Sequence, residues 1–192
     1  VMRLAAVALG APSPTHFYDD PSLFGRAMHL LNSNLYDPEP SDVVRGVFGC
    51  GAHVDYGALS VLHVDGGLAG LQLCLEDEDT PAEGRTWVDA APPPGTLVVN
   101  MGEMMRRWSN NRFKAALHRV VTPEEQAGTK GRLSMVLFFE PSLGAPVGPL
   151  PCAVPAGEAP AFKTTTFGDF LTWKFSVTGE HKDGAEYTEF EG

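Results

Sequence analysis

The sequence predicts a mainly β domain, a sandwich or barrel of short strands with helices at its flanks. Three observations predict it. Short runs rich in Val and Leu recur after residue 31: LSVLHV (59–64), LAGLQLCL (68–75), TLVVNM (96–101), LHRVV (117–121) and RLSMVLFF (132–139). Turn-forming clusters separate them, at Asp37–Pro40, Gly49–Gly51, Asp65–Gly67, Asp77–Gly84, Pro92–Gly95 and Glu124–Gly131. Such alternation of strand and turn signals is the signature of sandwiches and barrels. Finally, 21 Gly and 16 Pro are scattered over the 192 residues with no Gly-X-Y period, which excludes collagen and fits many turns.

The elements follow in order. Residues 1–10 read as an amphipathic helix ended by Gly10 and the APSP stretch. Their resemblance to a signal peptide is superficial; they read as a helix at the cut end of a longer protein. A second helix is expected from Pro21 to Leu31, with Asp20 as N-cap and Pro21 at its first position. The strand region follows. Gly102–Leu117 is helical near its start, and a last helix is expected over Thr166–Phe175, beyond a Pro- and Gly-rich stretch. No internal repeat is visible. The expected division is an N-terminal helical remnant (1–27), a core (28–150) and a C-terminal tail with a helix (151–192).

Composition narrows the function. With 43% hydrophobic and 20% charged residues, the chain is globular rather than disordered. A net charge of −10 disfavours nucleic acid and anionic membrane surfaces, because both require a basic face. A small-molecule partner remains, since one buried Arg outweighs global charge locally. Cys50, Cys74 and Cys152 are odd in number and form no C-x-x-C pair, so buried free thiols are expected. No apolar run reaches the roughly 20 residues of a membrane span. Together these predict a cytoplasmic protein.

Chemistry concentrates in a few residues. Two H-x-D triplets occur, His53-Val54-Asp55 and His63-Val64-Asp65. In a strand, residues i and i+2 share a face, so either triplet could aim an imidazole and a carboxylate at one metal ion. His118, inside an apolar run, is the best third ligand. Two His and one carboxylate leave open positions on iron, as in non-haem Fe(II) oxygenases; the alternative is ordinary hydrogen-bonded strand histidines. Arg132 and Ser134 share a face at the start of a long apolar strand. A guanidinium and a hydroxyl on one apolar wall form a carboxylate trap; the alternative is a salt bridge or an outward-pointing Arg.

The order of these motifs resembles a known family. HVD at 53–55, His118 and RLS at 132–134 resemble the 2-oxoglutarate/Fe(II)-dependent dioxygenases, and most closely the isopenicillin N synthase-like branch. The words GAHVDYGALSVLHVDGGLAGLQL, WVDAAPPPGTLVVNMGE and WSNNRFKAALHRVV carry the same resemblance, over residues 28 to 150. It implies a double-stranded β-helix, a distorted jelly roll with flanking helices, of which this sequence lacks part of the family's N-terminal region. It implies His53, Asp55 and His118 as Fe(II) ligands. Arg132 and Ser134 would hold the distal carboxylate of 2-oxoglutarate, and Asn34 and Tyr36, in NSNLYDP, would lie near the oxo-acid. It sets His63 and Asp65 aside, at the end of the following strand. Two departures stand out: the long turn TPEEQAGTK and Glu103, where the family usually has Asp. The implied reaction consumes dioxygen, decarboxylates 2-oxoglutarate to succinate and hydroxylates, desaturates or cyclises a small organic molecule, with ascorbate a further candidate cofactor. Two alternatives stay open: a family oxidase that does not use 2-oxoglutarate, and a catalytically inactive jelly-roll binding protein.

Overall fold

A computed structural model describes residues 1–64, 70–76, 80–126 and 131–178. Helix α1 (Met2–Leu9) buries Met2, Ala5, Ala6 and Leu9, the stripe that a 3.6-residue period places on one face. Gly10, at φ 74°, closes it in the left-handed conformation. Helix α2 (Pro21–Phe24) starts as expected: the Asp20 carboxylate accepts the Ser22 N–H at 2.8 Å. It ends seven residues earlier than the sequence predicts. Leu30 and Leu31 belong instead to strand β1 (Leu30–Tyr36), which pairs along its whole length with a partner far away in sequence. Seven ladder positions outweigh a weak local helix preference.

The remaining strands are β2 (Cys50–His53), β3 (Leu59–Val64), β4 (Leu71–Cys74), β5 (Trp87–Asp89), β6 (Val98–Met101), β7 (His118–Val120) and β8 (Arg132–Phe139). They form two four-stranded antiparallel sheets, ordered β1-β8-β3-β6 and β2-β7-β4-β5. This is the expected jelly roll. Two further strands, β9 (Pro146–Val147) and β10 (Thr165–Thr166), pair separately. The Gly49–Gly51 turn signal is overridden: Gly51 lies inside β2, where the register against β7 shifts between Cys50 and His53. Glycine in a strand commonly marks such an irregularity.

The main hydrophobic cluster lies outside the space between the sheets. Helices α1, α3 (Glu103–Trp108) and α4 (Phe167–Thr178) pack there with Phe17, Phe24, Leu59 and Val147. Fully buried Trp108 is fixed by its indole N–H, which donates to the Pro146 carbonyl at 3.0 Å. Thr166 and Asp169 cap the start of α4 reciprocally: the Asp169 N–H donates to the Thr166 hydroxyl, which donates to the Asp169 carboxylate. Glu103, the departure from the family pattern, is buried and pairs with Arg106 and Arg107. The three cysteines are free as expected, but half-buried rather than buried. Among the described residues no helix is long and apolar enough to cross a membrane. Asp65, Leu68, Ala69 and residues 127–130 of the TPEEQAGTK turn lie outside the described residues.

Candidate active site

The two sheets face each other across a cavity of about 470 Å³, lined from both sides. His53 and His118 come from one sheet. They are direct cross-strand partners in the β2–β7 ladder, with ring centroids 4.3 Å apart. Asp55 reaches them by a route the sequence reading did not foresee. The strand ends at His53, so the shared face of a strand does not explain the H-x-D convergence. Asp55 sits in the following loop, and α3 holds that loop: the Glu103 N–H donates to the Asp55 carbonyl at 2.8 Å and the Met104 N–H to the Gly57 carbonyl at 3.0 Å. Gly102 permits this close approach, because a Cβ there would lie 2.3 Å from the Gly57 oxygen.

Asp55 Oδ1 lies 3.9 Å from His53 Nε2 and 3.8 Å from His118 Nε2. The donor atoms all fall within 4.8 Å of one another, so the three residues form a possible metal site. Each imidazole Nδ1 is 2.8 Å from a backbone carbonyl, Gly51 for His53 and Ala116 for His118. Those contacts place a ring proton on Nδ1 and turn Nε2 toward the cavity. Two imidazole nitrogens and one carboxylate oxygen suit a divalent first-row metal such as iron.

The opposite wall comes from β8 and β1. Strand β8 alternates buried and exposed residues from Arg132 to Val136, so Arg132 and Ser134 face the cavity together, as period 2 predicts. The β1–β8 register then pairs Tyr36 with Arg132 and Asn34 with Ser134. All four predicted residues line the cavity as two adjacent cross-strand pairs. The Arg132 guanidinium stacks over the Tyr36 ring at 4.6 Å. The residue is 3% exposed, and its Nη1 is buried with no hydrogen-bond partner among the described residues. An orphaned guanidinium nitrogen beside a hydroxyl fits a bound carboxylate, because an unpaired buried charge is otherwise costly.

Residues 26–141 match the model of the 2OG-Fe(II) oxygenase superfamily. The chain belongs to this superfamily. A homoarginine-6-hydroxylase from Glycine max is 33% identical over 180 residues, which are 91% of this chain and 50% of that protein. The structure of a full-length Neurospora crassa protein in complex with alpha-KG superposes with a TM-score of 0.71 at 26% identity, covering 91% of this chain and 51% of that one. JOX2 in complex with 2OG, Fe and JA has the same score and identity, with 90% and 46% covered. The chain thus spans about half the length of the curated relatives it matches.

In this 2OG-Fe(II) oxygenase chain the charges of the metal trio differ. At His118 burial dominates; Asp55 opposes it, and the pKa falls below the ordinary imidazole range. At His53 burial also opposes charge, but hydrogen bonds with Cys50 and the Gly51 carbonyl, and the nearby Asp55 carboxylate, raise the pKa to about 9. The metal-free trio therefore holds one proton on His53 against the Asp55 charge, and a bound metal takes its place. Burial, with Cys50, raises the Tyr36 pKa above the usual phenol range, so its hydroxyl remains a donor at neutral pH.

Sequence reasoning missed Cys50, Ser60 and Asn100, which also line this cavity. Ser60 and Asn100 are the polar residues inside two apolar runs and are cross-strand partners in the β3–β6 ladder. That interruption is the signal that could have found them. His63, from the second triplet, pairs with exposed Met135, on the face of β3 opposite Ser60 and Leu62.

Glu140, just after β8, makes a separate prediction. Its carboxylate lies against Gly57, and Oε2 is buried with no hydrogen-bond partner among the described residues. Burial and the Asp55 charge raise its pKa from 4.5 to about 7. A raised folded-state pKa favours the protonated form. Its stabilising contribution is therefore full below about 4.5 and lost as pH rises through about 7. Glu140→Gln should remove that loss, leaving the metal-free variant more stable than wild type above pH 8, by up to roughly 3 kcal/mol. Urea melts at pH 5 and pH 8.5 check it; equal pH slopes for both proteins would refute it.

Proposed function

We propose that the chain forms the catalytic core of an iron(II)- and 2-oxoglutarate-dependent oxygenase that oxidises a small organic molecule. One observation carries this reading. A two-His, one-carboxylate trio and a buried Arg, whose Nη1 has no hydrogen-bond partner among the described residues, line opposite walls of the same cavity. His53, Asp55 and His118 would hold the iron. Arg132, Ser134, Tyr36 and Asn34 would hold 2-oxoglutarate. Iron, when bound, supplies the redox chemistry that couples dioxygen and 2-oxoglutarate decarboxylation to substrate oxidation. The protein's own share is geometric and electrostatic. The Arg132 fork gives the anionic cosubstrate one orientation, and the Tyr36 ring packs against that fork. Leu62, Leu71, Val136 and Phe138 supply apolar lining, which helps to exclude water. The acidic chain and the cavity's modest volume fit a small-molecule substrate.

The test is anaerobic titration of the metal-free protein with Fe(II) and then 2-oxoglutarate. A visible metal-to-ligand charge-transfer band is expected only after both additions. Iron binding without the band would replace this reading with an oxidase that does not use 2-oxoglutarate. No iron binding would favour an inactive binding protein.

A further inference from the structure

The metal trio contains one ligand that no strand holds. His53 and His118 are anchored by the β2–β7 ladder and by their Nδ1 contacts. Asp55 lies in a loop, and a backbone hydrogen bond alone does not set the rotation of its carboxylate. The side chain is held from the opposite sheet. The Ser60 hydroxyl donates to Asp55 Oδ2 at 2.5 Å, while Oδ1 faces both imidazoles. Ser60 is 1% exposed and Asp55 6%. Strand β3 is an interior strand of its sheet, and Ser60 is paired there with Asn100 on one side and Phe138 on the other. The hydroxyl therefore comes from a position that cannot follow a moving loop.

We propose that Ser60 is a positioning residue for Asp55, which spends one carboxylate oxygen on the hydroxyl so that the other alone is presented to the metal. This inference rests on the proposed metal site. The physical reason is that the two oxygens of a carboxylate are equivalent until one of them is engaged. A free carboxylate beside a divalent cation turns between one-oxygen and two-oxygen binding. The Ser60 bond removes that freedom before the metal arrives, and it keeps space at the metal for the cosubstrate.

The experiment compares Ser60→Ala, Ser60→Thr and Ser60→Val by calorimetric titration of the metal-free proteins with Co(II) and by the visible d–d spectrum of the Co(II) forms. Thr and Val have the same shape, so their difference isolates the hydroxyl even if Ser60→Ala does not fold. Loss of an outer partner of a metal ligand typically costs about 10–100-fold in metal affinity. Ala and Val are expected to show that loss and a changed d–d spectrum, and Thr to restore both. Wild-type affinity and spectrum in the Val variant would overturn the positioning role and leave the metal site standing. Failure of the wild-type protein to bind Co(II) would overturn the site itself and this inference with it.

Discussion

Replacing Asp55 by Ala is expected to abolish iron binding at working concentrations and, with it, turnover. Asp55 supplies the only negative charge among the three donors. Outer partners of metal ligands are worth about 10–100-fold, so loss of a ligand itself should exceed ~10³-fold in affinity. Two further effects accompany the lost ligand, and the one at His53 partly offsets it, because a proton held less firmly competes less with the metal. The Ser60 hydroxyl loses its acceptor, and His53 loses a charge that holds its proton in place. The His53 imidazole should therefore titrate at lower pH in the variant, which histidine NMR of the metal-free protein reads independently of activity. Asp55→Asn keeps the shape and one oxygen but not the charge, and should fall between the two. Iron content and succinate release measure the main effect. Full iron loading with undiminished succinate release in Asp55→Ala would remove Asp55 from the ligand set.

Arg132→Met is expected to separate cosubstrate binding from both folding and iron binding. Charge-assisted hydrogen bonds are worth about 1.5–3 kcal/mol each. Loss of a two-bond fork therefore predicts a fall in 2-oxoglutarate affinity of ~10²–10⁴-fold. Iron affinity should not change, because Arg132 is not among the metal donors. Stability of the ligand-free protein should hold or rise. What Met gives up is the stacking on Tyr36, worth about 0.5–2 kcal/mol. What it relieves is a buried guanidinium whose Nη1 has no partner among the described residues, a penalty of roughly several kcal/mol. Arg132→Lys keeps the charge without the planar fork and should lose at least about tenfold in 2-oxoglutarate affinity by the same hydrogen-bond accounting. Unchanged 2-oxoglutarate affinity in both variants would refute the carboxylate role.

Much of this site was legible before folding was considered, and particular residues show why. RLSMVLFF is long enough for alternation to show itself, so Arg132 and Ser134 could be placed on one face and the observed strand has those ends. His118 stood out as a basic residue in an apolar run. Ser60 and Asn100 carried the same kind of signal but weaker, because an uncharged polar residue in a strand has many ordinary explanations. The extent of α2 was misread because Leu30 and Leu31 continue a helical pattern locally. Their actual partners, Phe138 and Leu137, lie more than a hundred residues away. Local preference is worth a few tenths of a kcal/mol per residue, and a paired strand exceeds it.

The sequence by itself determined the kinds of group available: two imidazoles and a carboxylate for a metal, a guanidinium and a hydroxyl for a carboxylate, and an alternation that places the last two together. It also set the turn chemistry that divides the chain into short strands. Alternation along a strand left both H-x-D triplets open; the resemblance favours the first, and the tertiary structure brings His53 and Asp55 to His118 while His63 lies on the opposite face of β3 from Ser60. Tertiary structure alone decided that Asp55 is presented by a loop pinned to α3 rather than by a strand, and that Tyr36 and Asn34 stand beside Arg132 and Ser134. The reason is register. Alternation along one strand is a local property, written in consecutive residues. The pairing of distant strands is a global property of the packed sheets, and a shift of one residue would send the strand-borne side chains of the site to the opposite face.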